Sequence, residues 1–322
     1  MHTARVPTRL WGPSSVTFLS LLLASCAGER ATSAPEPRLV TLRAEILPEP
    51  FASLVAEAES LPAASAGEWL SVHDEKGQSL AEFEVAPRRK PGIDGRVLAL
   101  ARLGPIGSAE ERIFANTARY LEACYGLEVR FVGDFGPGEI PAHARRPARG
   151  HGPQIKSRFV LDSLLLVRRP DDALVFLALS TYDLYPRDDW NFVFGQAMPA
   201  KGVGVWSLAR YGRRDRSEDE PIVLARMVRT ATHEVGHLLG LAHCITWRCV
   251  MNGSNSLTEL DARPLEFCPP CLAKVCISLD LDAAGRAGRT SSALAAIGLV
   301  SDAARARRME RRIVGVERSP GR

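Results

Sequence analysis

The sequence predicts an α+β fold, because patterns typical of helices and patterns typical of strands both occur along the chain. Apolar residues recur at helical spacing over residues 108–125, and residues 127–131 then alternate between apolar and polar as in a strand. Residues 173–180 form a continuous apolar run that is typical of a buried strand. The composition, 46% hydrophobic and 24% charged over 322 residues, is that of a globular protein of about two domains.

Weaker patterns predict the remaining elements. Residues 38–92 combine strand-like pieces, such as 39–42, with a helix-like stretch at 51–60. They form a small N-terminal region that packs on the rest of the protein or acts as a lid or propeptide. Further along, we expect a helix at 154–169, strands at 191–195 and 203–209, and a long helix at 221–239.

Two histidines lie four residues apart within the helix predicted at 221–239. Because residues at this spacing share one face of a helix, His233 and His237 can direct two imidazoles at one metal ion. His243 offers a third imidazole and leaves one coordination position open, as in catalytic zinc sites. A straight helix would carry residue 243 about 240° around the axis from residue 237, so the chain must turn before it. Gly240 permits that turn because glycine adopts the left-handed conformation at helix ends.

Glu234 and Met251 complete the pattern around the histidines. Glu234 follows the first histidine and points to one side, so its carboxylate can take a proton from a zinc-bound water without binding the metal. The hydroxide would attack a peptide carbonyl, and the glutamate would then protonate the leaving amine. Met251 follows His243 at the distance where metzincins place a methionine beneath the metal. The extended motif is a recognised signature of zinc peptidases, so a peptide or protein substrate is expected.

Five of the seven cysteines of the chain cluster near this motif. Cys244 and Cys249 form one short pair, and Cys268 and Cys271 form another, which together supply the four thiolates of a closed tetrahedral zinc site. The sequence thus predicts two zinc ions, one catalytic and one structural. Two disulfides beside a single zinc are the alternative, because we expect the chain to be exported and exported proteins meet an oxidising space.

The combined motif resembles the archaemetzincin family, whose signature joins the extended zinc motif to four cysteines and a methionine in this order. The residues that carry the resemblance are His233, Glu234, His237, Gly240, His243, Cys244, Cys249, Met251, Cys268 and Cys271. Segments at 104–107, 182–185, 191–195 and 207–210 also resemble recurrent family segments. The likeness covers roughly residues 93–275. It departs near residues 149–157, where a compact Arg-Gly-Gln-Tyr stretch is expected and the tyrosine is missing.

The resemblance implies a zincin-like metzincin fold. This fold has a mixed, twisted sheet with backing helices, an active-site helix and a small zinc-knotted C-terminal subdomain. Residues 93–275 would form the archaemetzincin-like zinc peptidase domain, and residues 276–322 an Arg-rich helical tail. In this architecture an edge strand above the cleft pairs with extended substrate, and 191–195 and 203–209 are candidates unless they are ordinary core strands. Both aminopeptidase and endopeptidase action fit the motif.

The start of the chain resembles an export signal. Arg5 and Arg9 precede an apolar run over residues 16–24, which is too short for a membrane span and matches the hydrophobic part of a secretory signal. The run ends in Leu-Ala-Ser-Cys, which resembles a bacterial lipobox. Residues 1–25 would then be a lipoprotein signal peptide, Cys26 a lipid anchor and residues 26–37 a tether. Ala27, rather than aspartate, follows, so we expect the outer membrane, facing the periplasm. An ordinary signal peptide is the alternative.

Two arginine-rich runs, at 145–149 and 305–312, do not indicate a nucleic-acid partner. The net charge is only +4, and no aromatic residues interleave the second run. A solvated helix is expected there, or a contact with anionic lipid headgroups if the anchor is present. Cys276 is not one of the four predicted zinc ligands; it either pairs with Cys124 or both are small buried side chains.

Two functions from different classes fit these observations. The first is a zinc peptidase. The second is a zinc-stabilised lipoprotein that binds peptides or partners with little turnover. Glu234 favours the enzyme, because a purely structural metal site has no use for an acid beside an open coordination position.

Overall fold

The computed structural model describes residues 36–147, 152–214, 216 and 218–317. The expected signal peptide, Cys26 and all but the last two residues of the tether lie outside the described residues. Of residues 149–157, where the sequence departs from the family pattern, residues 149–151 lie outside them as well. Within the described ranges, no helix has the length and apolar character that crossing a membrane requires.

The described residues form eight strands in two sheets. In chain order they are β1 (Val97–Leu103), β2 (Glu128–Phe135), β3 (Arg145–Pro147), β4 (Pro153–Lys156), β5 (Ala173–Ser180), β6 (Asp183–Tyr185), β7 (Gly195–Met198) and β8 (Val203–Ser207). The main sheet has the order β2-β1-β5-β8-β7, and the small sheet has the order β3-β4-β6. Neighbouring strands of the main sheet are parallel, except that β7 runs antiparallel to β8. The main sheet is therefore mixed, with β7 at one edge.

Eleven α-helices lie within the described residues. They are α1 (Glu36–Arg43), α2 (Phe51–Leu54), α3 (Trp69–Val72), α4 (Leu80–Val85), α5 (Ser108–Tyr125), α6 (Ser157–Phe159), α7 (Glu220–Leu238), α8 (Leu257–Ala262), α9 (Pro269–Leu279), α10 (Ala283–Ala296) and α11 (Val300–Glu317). A π-helical stretch, Val160–Leu165, continues α6. Single 3₁₀ turns occur at Val55–Glu57, Pro137–Glu139, Ala142–Ala144 and Pro199–Lys201.

The main sheet separates two hydrophobic cores. Side chains alternate along β1, so that Leu98 and Leu100 face one core and Ala99 and Ala101 face the other. The first core also contains the apolar faces of α5 and α7, which pack together beneath the sheet. The second core contains the π-helical stretch after α6. A mixed sheet backed by helices is the predicted architecture, so the α+β fold class is confirmed.

The elements with strong local patterns agree with the sequence. Helix α5 and strand β5 have the predicted bounds, and α7 begins and ends one residue before the prediction of 221–239. Gly126, with φ of +62°, ends α5 as a left-handed cap. Asp219 and the following Glu-Pro pair open α7, where proline fits because the first helical N–H groups need no helical partner.

Three shorter predictions are wrong. Residues 39–42 lie in helix α1 rather than in a strand, because a short apolar run does not distinguish the two by periodicity. The helix predicted at 154–169 begins only at Ser157, because the preceding residues form β4 and pair with β6. In the stretch 191–195, Val193 makes a single bridge to Leu184, and regular pairing begins at Gly195. In the last two cases, pairing between distant segments overrides the local pattern.

Both terminal regions pack on the central domain. In the N-terminal region, α2 and α4 contact α9, which begins directly after Cys268 and contains Cys271. At the other end, α10 packs on α5 and on α11. The expected boundary between residues 275 and 276 lies inside α9. The N-terminal region is thus a neighbour of the segment that contains the metal-binding motif.

Candidate metal centre

Helix α7 and the loop after it bring the three motif histidines together. One ring nitrogen from each of His233, His237 and His243 lies within 4.8 Å of those of the other two. The Nε2 atoms of His233 and His237 are 2.8 Å apart. All three side chains are buried, with only 1 to 3% of each residue exposed. The helical spacing of four residues thus produces the predicted convergence.

The turn that returns His243 to the helix is a Schellman motif built on Gly240. Gly240 has φ of +96°, in the left-handed region that favours glycine. Its N–H donates to the His237 carbonyl at 2.9 Å, and the N–H of Leu241 donates to the Gly236 carbonyl at 3.0 Å. These two bonds satisfy the last helical carbonyls and reverse the chain direction. The predicted role of Gly240 as a turn former agrees with this geometry.

Each imidazole donates its Nδ1–H to an acceptor outside the cluster. The acceptors are the Val250 carbonyl at 2.8 Å for His233, the Leu241 carbonyl at 2.7 Å for His237, and Glu75 Oε1 at 2.7 Å for His243. Because carbonyl and carboxylate oxygens only accept, the Nδ1 atoms must carry the protons. The three Nε2 atoms are then unprotonated, which is the form that binds a metal.

The cluster fits a cation in this form. Two unprotonated nitrogens 2.8 Å apart cannot form a hydrogen bond, and their lone pairs repel each other unless a positive ion lies between them. Burial and the neighbouring imidazoles lower the pKa of His237 to about 3 and lower that of His233 well below its usual value. The rings of His233 and His237 therefore stay neutral near pH 7. Three converging imidazoles are the protein ligands of many catalytic zinc sites, which keep a fourth position open.

Glu234 is buried next to the first histidine, with 3% of the residue exposed. Burial raises the pKa of its carboxyl to about 8, and the charge of Arg263 partly offsets this effect. A divalent cation at the adjacent imidazoles favours the ionised carboxylate, because opposite charges stabilise each other strongly in a buried site. Glu234 can then serve as a proton acceptor at this centre.

Met251 lies directly against the helical turn between the first two histidines. A Cβ atom placed on Gly236 would lie 2.6 Å from the Met251 sulfur, which is closer than atoms pack. Gly236 therefore makes room for the methionine below the cluster. No role for Gly236 was predicted from the sequence. A glycine in the middle of a helix lowers helix stability by about 1 kcal/mol relative to alanine. An unfavourable glycine inside the predicted helix could therefore have indicated that a close contact requires it.

The four motif cysteines form a second buried cluster. Their sulfur atoms lie within 4.8 Å of one another, and the Cys244 and Cys268 sulfurs are 3.6 Å apart, well beyond the ~2.05 Å of a disulfide bond. The Cys249 sulfur accepts N–H groups from Met251 at 3.4 Å and Cys268 at 3.3 Å. Burial raises the pKa of the Cys249 and Cys268 thiols, whereas hydrogen bonds with the other three cysteines lower the pKa of Cys244.

All six cysteines in the described part of the chain are free. Cys124 and Cys276, the two outside the cluster, are both buried. The Cys124 sulfur accepts a hydrogen bond from Arg286 at 3.0 Å. These two cysteines are therefore small buried side chains, the second of the two alternatives that the sequence left open.

Asn252 joins the two clusters, a role that the sequence analysis missed. Its side-chain amide donates to the carbonyls of Cys244 at 2.7 Å and Trp247 at 2.9 Å, and its oxygen accepts the N–H of Cys249 at 2.8 Å. The N–H of Cys244 donates to the Met251 carbonyl at 2.9 Å. The loop that carries the first two cysteines is thereby attached to the methionine turn beneath the histidines.

Arg263 was also missed, because nothing in its sequence neighbourhood distinguishes it. Its guanidinium is buried, with 6% of the residue exposed, and donates to the Asn252 carbonyl and to Ser254 Oγ. One of its nitrogens lies 3.0 Å from His233 Nδ1, without a hydrogen bond when that nitrogen is protonated. Burial lowers the pKa of Arg263 to about 10, which leaves a buried cation beside the cluster at neutral pH.

Only one of the two predicted edge-strand candidates is near an edge of the main sheet. Residues 203–207 lie in β8, which is paired with β5 on one side and β7 on the other. This candidate is wrong, because both of its edges are already paired. The edge strand next to β8 is β7, which begins at Gly195, the last residue of the other candidate.

Comparisons with known proteins identify the family. Residues 154–276 match the model of peptidase family M54. Archaemetzincin-2 from Mus musculus is 34% identical over 249 residues, which cover 67% of this chain and 69% of the mouse protein. The archaemetzincin of Pyrococcus furiosus is 32% identical over 176 residues, which cover 53% of this chain and 89% of that protein.

Among solved structures, the archaemetzincin of Methanopyrus kandleri is 30% identical and aligns with a TM-score of 0.47. That alignment covers 59% of this chain and 99% of the solved one. The family assignment rests on the relatives found by sequence. This chain covers more than two thirds of the mouse and Pyrococcus proteins, at more than 30% identity. The chain belongs to the archaemetzincin family and is a zinc-dependent peptidase.

Proposed function

We propose that peptide-bond hydrolysis takes place at the cluster of His233, His237 and His243, with Glu234 as the general base. The observation that carries this proposal is the orientation of the three imidazoles. Each Nδ1–H is held by an oxygen acceptor, so three unprotonated Nε2 atoms face one point beside a buried carboxyl group. A purely structural metal site would not need that acid.

The residues of the chain have separate roles in this mechanism. When bound, zinc supplies a Lewis acid that polarises the scissile carbonyl and lowers the pKa of water. Glu234 accepts the proton of the attacking water and delivers it to the nitrogen of the leaving amine. The acceptors of the Nδ1 protons keep the rings in one tautomer and orientation. The buried surroundings of Glu234 keep its carboxyl free of competing water and strengthen its electrostatic interactions.

We further propose a second, structural zinc ion held by Cys244, Cys249, Cys268 and Cys271. Four buried sulfurs within 4.8 Å of one another are the donor set of a closed zinc site, and two backbone N–H groups already donate to the Cys249 sulfur. Because Cys244 follows His243 directly, this ion would hold the loop that carries the third histidine.

The free edge of β7 is our candidate for binding extended substrate. Among the described strands of the main sheet, β7 has a partner only on the β8 side. A peptide added to the other edge would receive main-chain hydrogen bonds without regard to its sequence. This position suits either an endopeptidase or an aminopeptidase.

Glu234→Gln tests the catalytic assignment. The variant keeps the size of the side chain and removes its ability to accept a proton, so cleavage of a peptide library should fall roughly 10²- to 10⁴-fold. Zinc content, measured by elemental analysis, should remain at two ions per chain. Glu266→Gln is the matched control, because Glu266 is another largely buried carboxyl whose pKa burial raises, to about 7.

The outcomes separate the alternatives. Loss of cleavage in Glu234→Gln alone supports the peptidase with this general base. Equal cleavage by both variants and the parent chain contradicts the role of Glu234. Absence of cleavage by the parent chain, with two ions bound, favours a zinc-stabilised peptide-binding protein.

We also propose that the protein is a lipoprotein anchored through Cys26, in the outer membrane and facing the periplasm. The support is the lipobox-like end of the apolar run and the alanine that follows the cysteine. Metabolic labelling with radioactive palmitate should mark the parent chain in the outer-membrane fraction. A Cys26→Ser variant should lose the label. Unlabelled parent protein in the soluble fraction would instead indicate an ordinary signal peptide.

A further inference from the structure

A segment of the N-terminal region, residues 69–88, lies against the loop that carries the third histidine; we call it the strap. The side chain of Gln78 forms hydrogen bonds to this loop on both sides of Leu241. Its amide nitrogen donates to the Gly240 carbonyl at 3.1 Å, and its amide oxygen accepts the N–H of Ala242 at 3.2 Å. Lys274 of α9 donates to the Gln78 carbonyl. The strap is therefore fastened to the loop independently of the metal centre.

Trp69 fixes the other end of the strap close to the histidines. Its ring lies edge-on to His243, with ring centroids 5.0 Å apart, and only 5% of the residue is exposed. A Cβ atom on Gly253 would lie 2.3 Å from the Trp69 ring, so the indole packs directly on the backbone after the methionine turn. The main-chain N–H of Trp69 donates to the Glu259 carboxylate at 2.8 Å.

Glu75 lies between these two anchors and is aimed at the metal centre. Its Oε1 accepts the Nδ1–H of His243 at 2.7 Å and the indole N–H of Trp69 at 2.9 Å. His243 and Glu75 are 168 residues apart in the sequence. The carboxylate is thus held by a second donor in the orientation that receives the histidine proton.

We propose that Glu75 is a positioning residue of the catalytic metal centre, which holds His243 in the tautomer and orientation that bind zinc. The inference rests on the proposed role of His243 as a metal ligand. The other two histidines are held by main-chain carbonyls of the motif segment. His233 donates to the Val250 carbonyl, and His237 donates to the Leu241 carbonyl. His243 alone depends on a side chain from outside residues 93–275. A carboxylate in this position also increases the basicity of the ligating nitrogen.

The contact between Glu75 and His243 limits the roles that the N-terminal region can have. Of the three roles that the sequence left open for it, a removable propeptide does not fit a segment that supplies a partner to a metal ligand. Residues 69–88 would instead be a permanent part of the working enzyme. A lid that leaves the site during turnover does not fit either, because Gln78 and Trp69 fasten the strap on both sides of Glu75.

The test uses the full mature chain and four variants, Glu75→Ala, Glu75→Gln, Asp74→Asn and His237→Ala. Zn²⁺ affinity is measured by competition with a chromophoric chelator, and a His237→Ala variant identifies which ion belongs to the histidine site. Glu75→Ala should weaken zinc binding at that site by about 10- to 100-fold, the usual effect of losing such a partner. Glu75→Gln keeps an acceptor oxygen and should recover part of the affinity. Asp74→Asn removes a neighbouring exposed carboxylate and should change nothing.

A second readout follows the ring of His243 itself. In ¹⁵N-histidine-labelled, zinc-loaded protein, long-range ¹H–¹⁵N spectra should show His243 with its proton on Nδ1. Among the signals of His233, His237 and His243, Glu75→Ala should change only that of His243. Wild-type zinc affinity together with an unchanged His243 signal in Glu75→Ala would overturn the inference. If His237→Ala itself leaves the zinc content unchanged, the proposed metal site fails, and the role of Glu75 fails with it.

Discussion

The carbonyl oxygen of Leu241 accepts a hydrogen bond from Nδ1 of His237 at 2.7 Å. Leu241 is also the residue whose N–H closes the Schellman turn on the Gly236 carbonyl. The turn that ends α7 and the acceptor that orients the second histidine are thus parts of one structure. Any change that loosens the turn should therefore weaken the metal site as well as the fold.

Gly240→Ala should disrupt this turn. The residue has φ of +96°, and an added Cβ would lie 2.9 Å from Cβ of Arg88 in the strap. We expect a loss of about 1–3 kcal/mol from the backbone conformation, with further loss from the contact. Chemical denaturation and zinc titration measure the two effects. Gly298→Ala is the control, because Gly298 also has positive φ but no atom within 4 Å of the added Cβ. Equal losses in both variants would refute the contribution of the contact.

Gly236→Ala should destabilise the protein although alanine is the better helix former. Alanine gains about 1 kcal/mol in helix propensity, whereas forcing Cβ against the Met251 sulfur in a packed core costs about 1–3 kcal/mol. In a Met251→Ala background the obstruction is gone, so the same substitution should stabilise. A double-mutant cycle by denaturant unfolding measures the difference. Destabilisation of equal size in both backgrounds would mean that Met251 is not the obstacle.

Cys271→Ser should release one zinc ion and lower stability strongly. Loss of a structural metal belongs to the few mechanisms that cost about 4 kcal/mol or more. Because Cys244 neighbours His243, peptide cleavage should fall too. Elemental analysis and thermal unfolding test this expectation, with Cys276→Ser as the control at a buried cysteine outside the cluster. Two bound ions in Cys271→Ser would contradict a four-cysteine site.

Gradual metal removal should separate the two sites. Three neutral imidazoles with an open position hold zinc less firmly than four thiolates in a closed site. Titration with a chelator should therefore abolish cleavage after the first ion leaves, while circular dichroism remains unchanged until the second leaves. Added zinc should restore activity after the first stage. Simultaneous loss of both ions, activity and folded structure would show that the sites are not independent.

The sequence was a reliable guide wherever a pattern is local. Helix α5 and strand β5 have the predicted bounds, since their apolar periodicity persists over many residues. The convergence of His233 and His237 follows from helical spacing, and the turn at Gly240 from the conformational freedom of glycine. Short runs were less informative. Residues 39–42 were misread as a strand, and β4 was misread as helix, because neither length nor periodicity separates the two states there.

The partners of the motif residues could not be read in the same way. Asn252 and Arg263 contact the metal-binding segments through side chains whose sequence context is unremarkable. The edge position of β7 depends on the strand order, which places β8 between it and β5. Each of these features depends on which segments meet in the folded protein. No local sequence pattern indicates those contacts.

By itself, the sequence predicted the two groups of candidate metal ligands in this archaemetzincin: three imidazoles beside a glutamate, and four thiols next to them. Residue chemistry and helical spacing suffice for that, because they do not depend on the rest of the fold. Only the tertiary structure decided what holds these donors in place. The acceptor for His243 lies 168 residues away in Glu75, and a hydrogen bond over that separation exists only once the strap has packed against the loop.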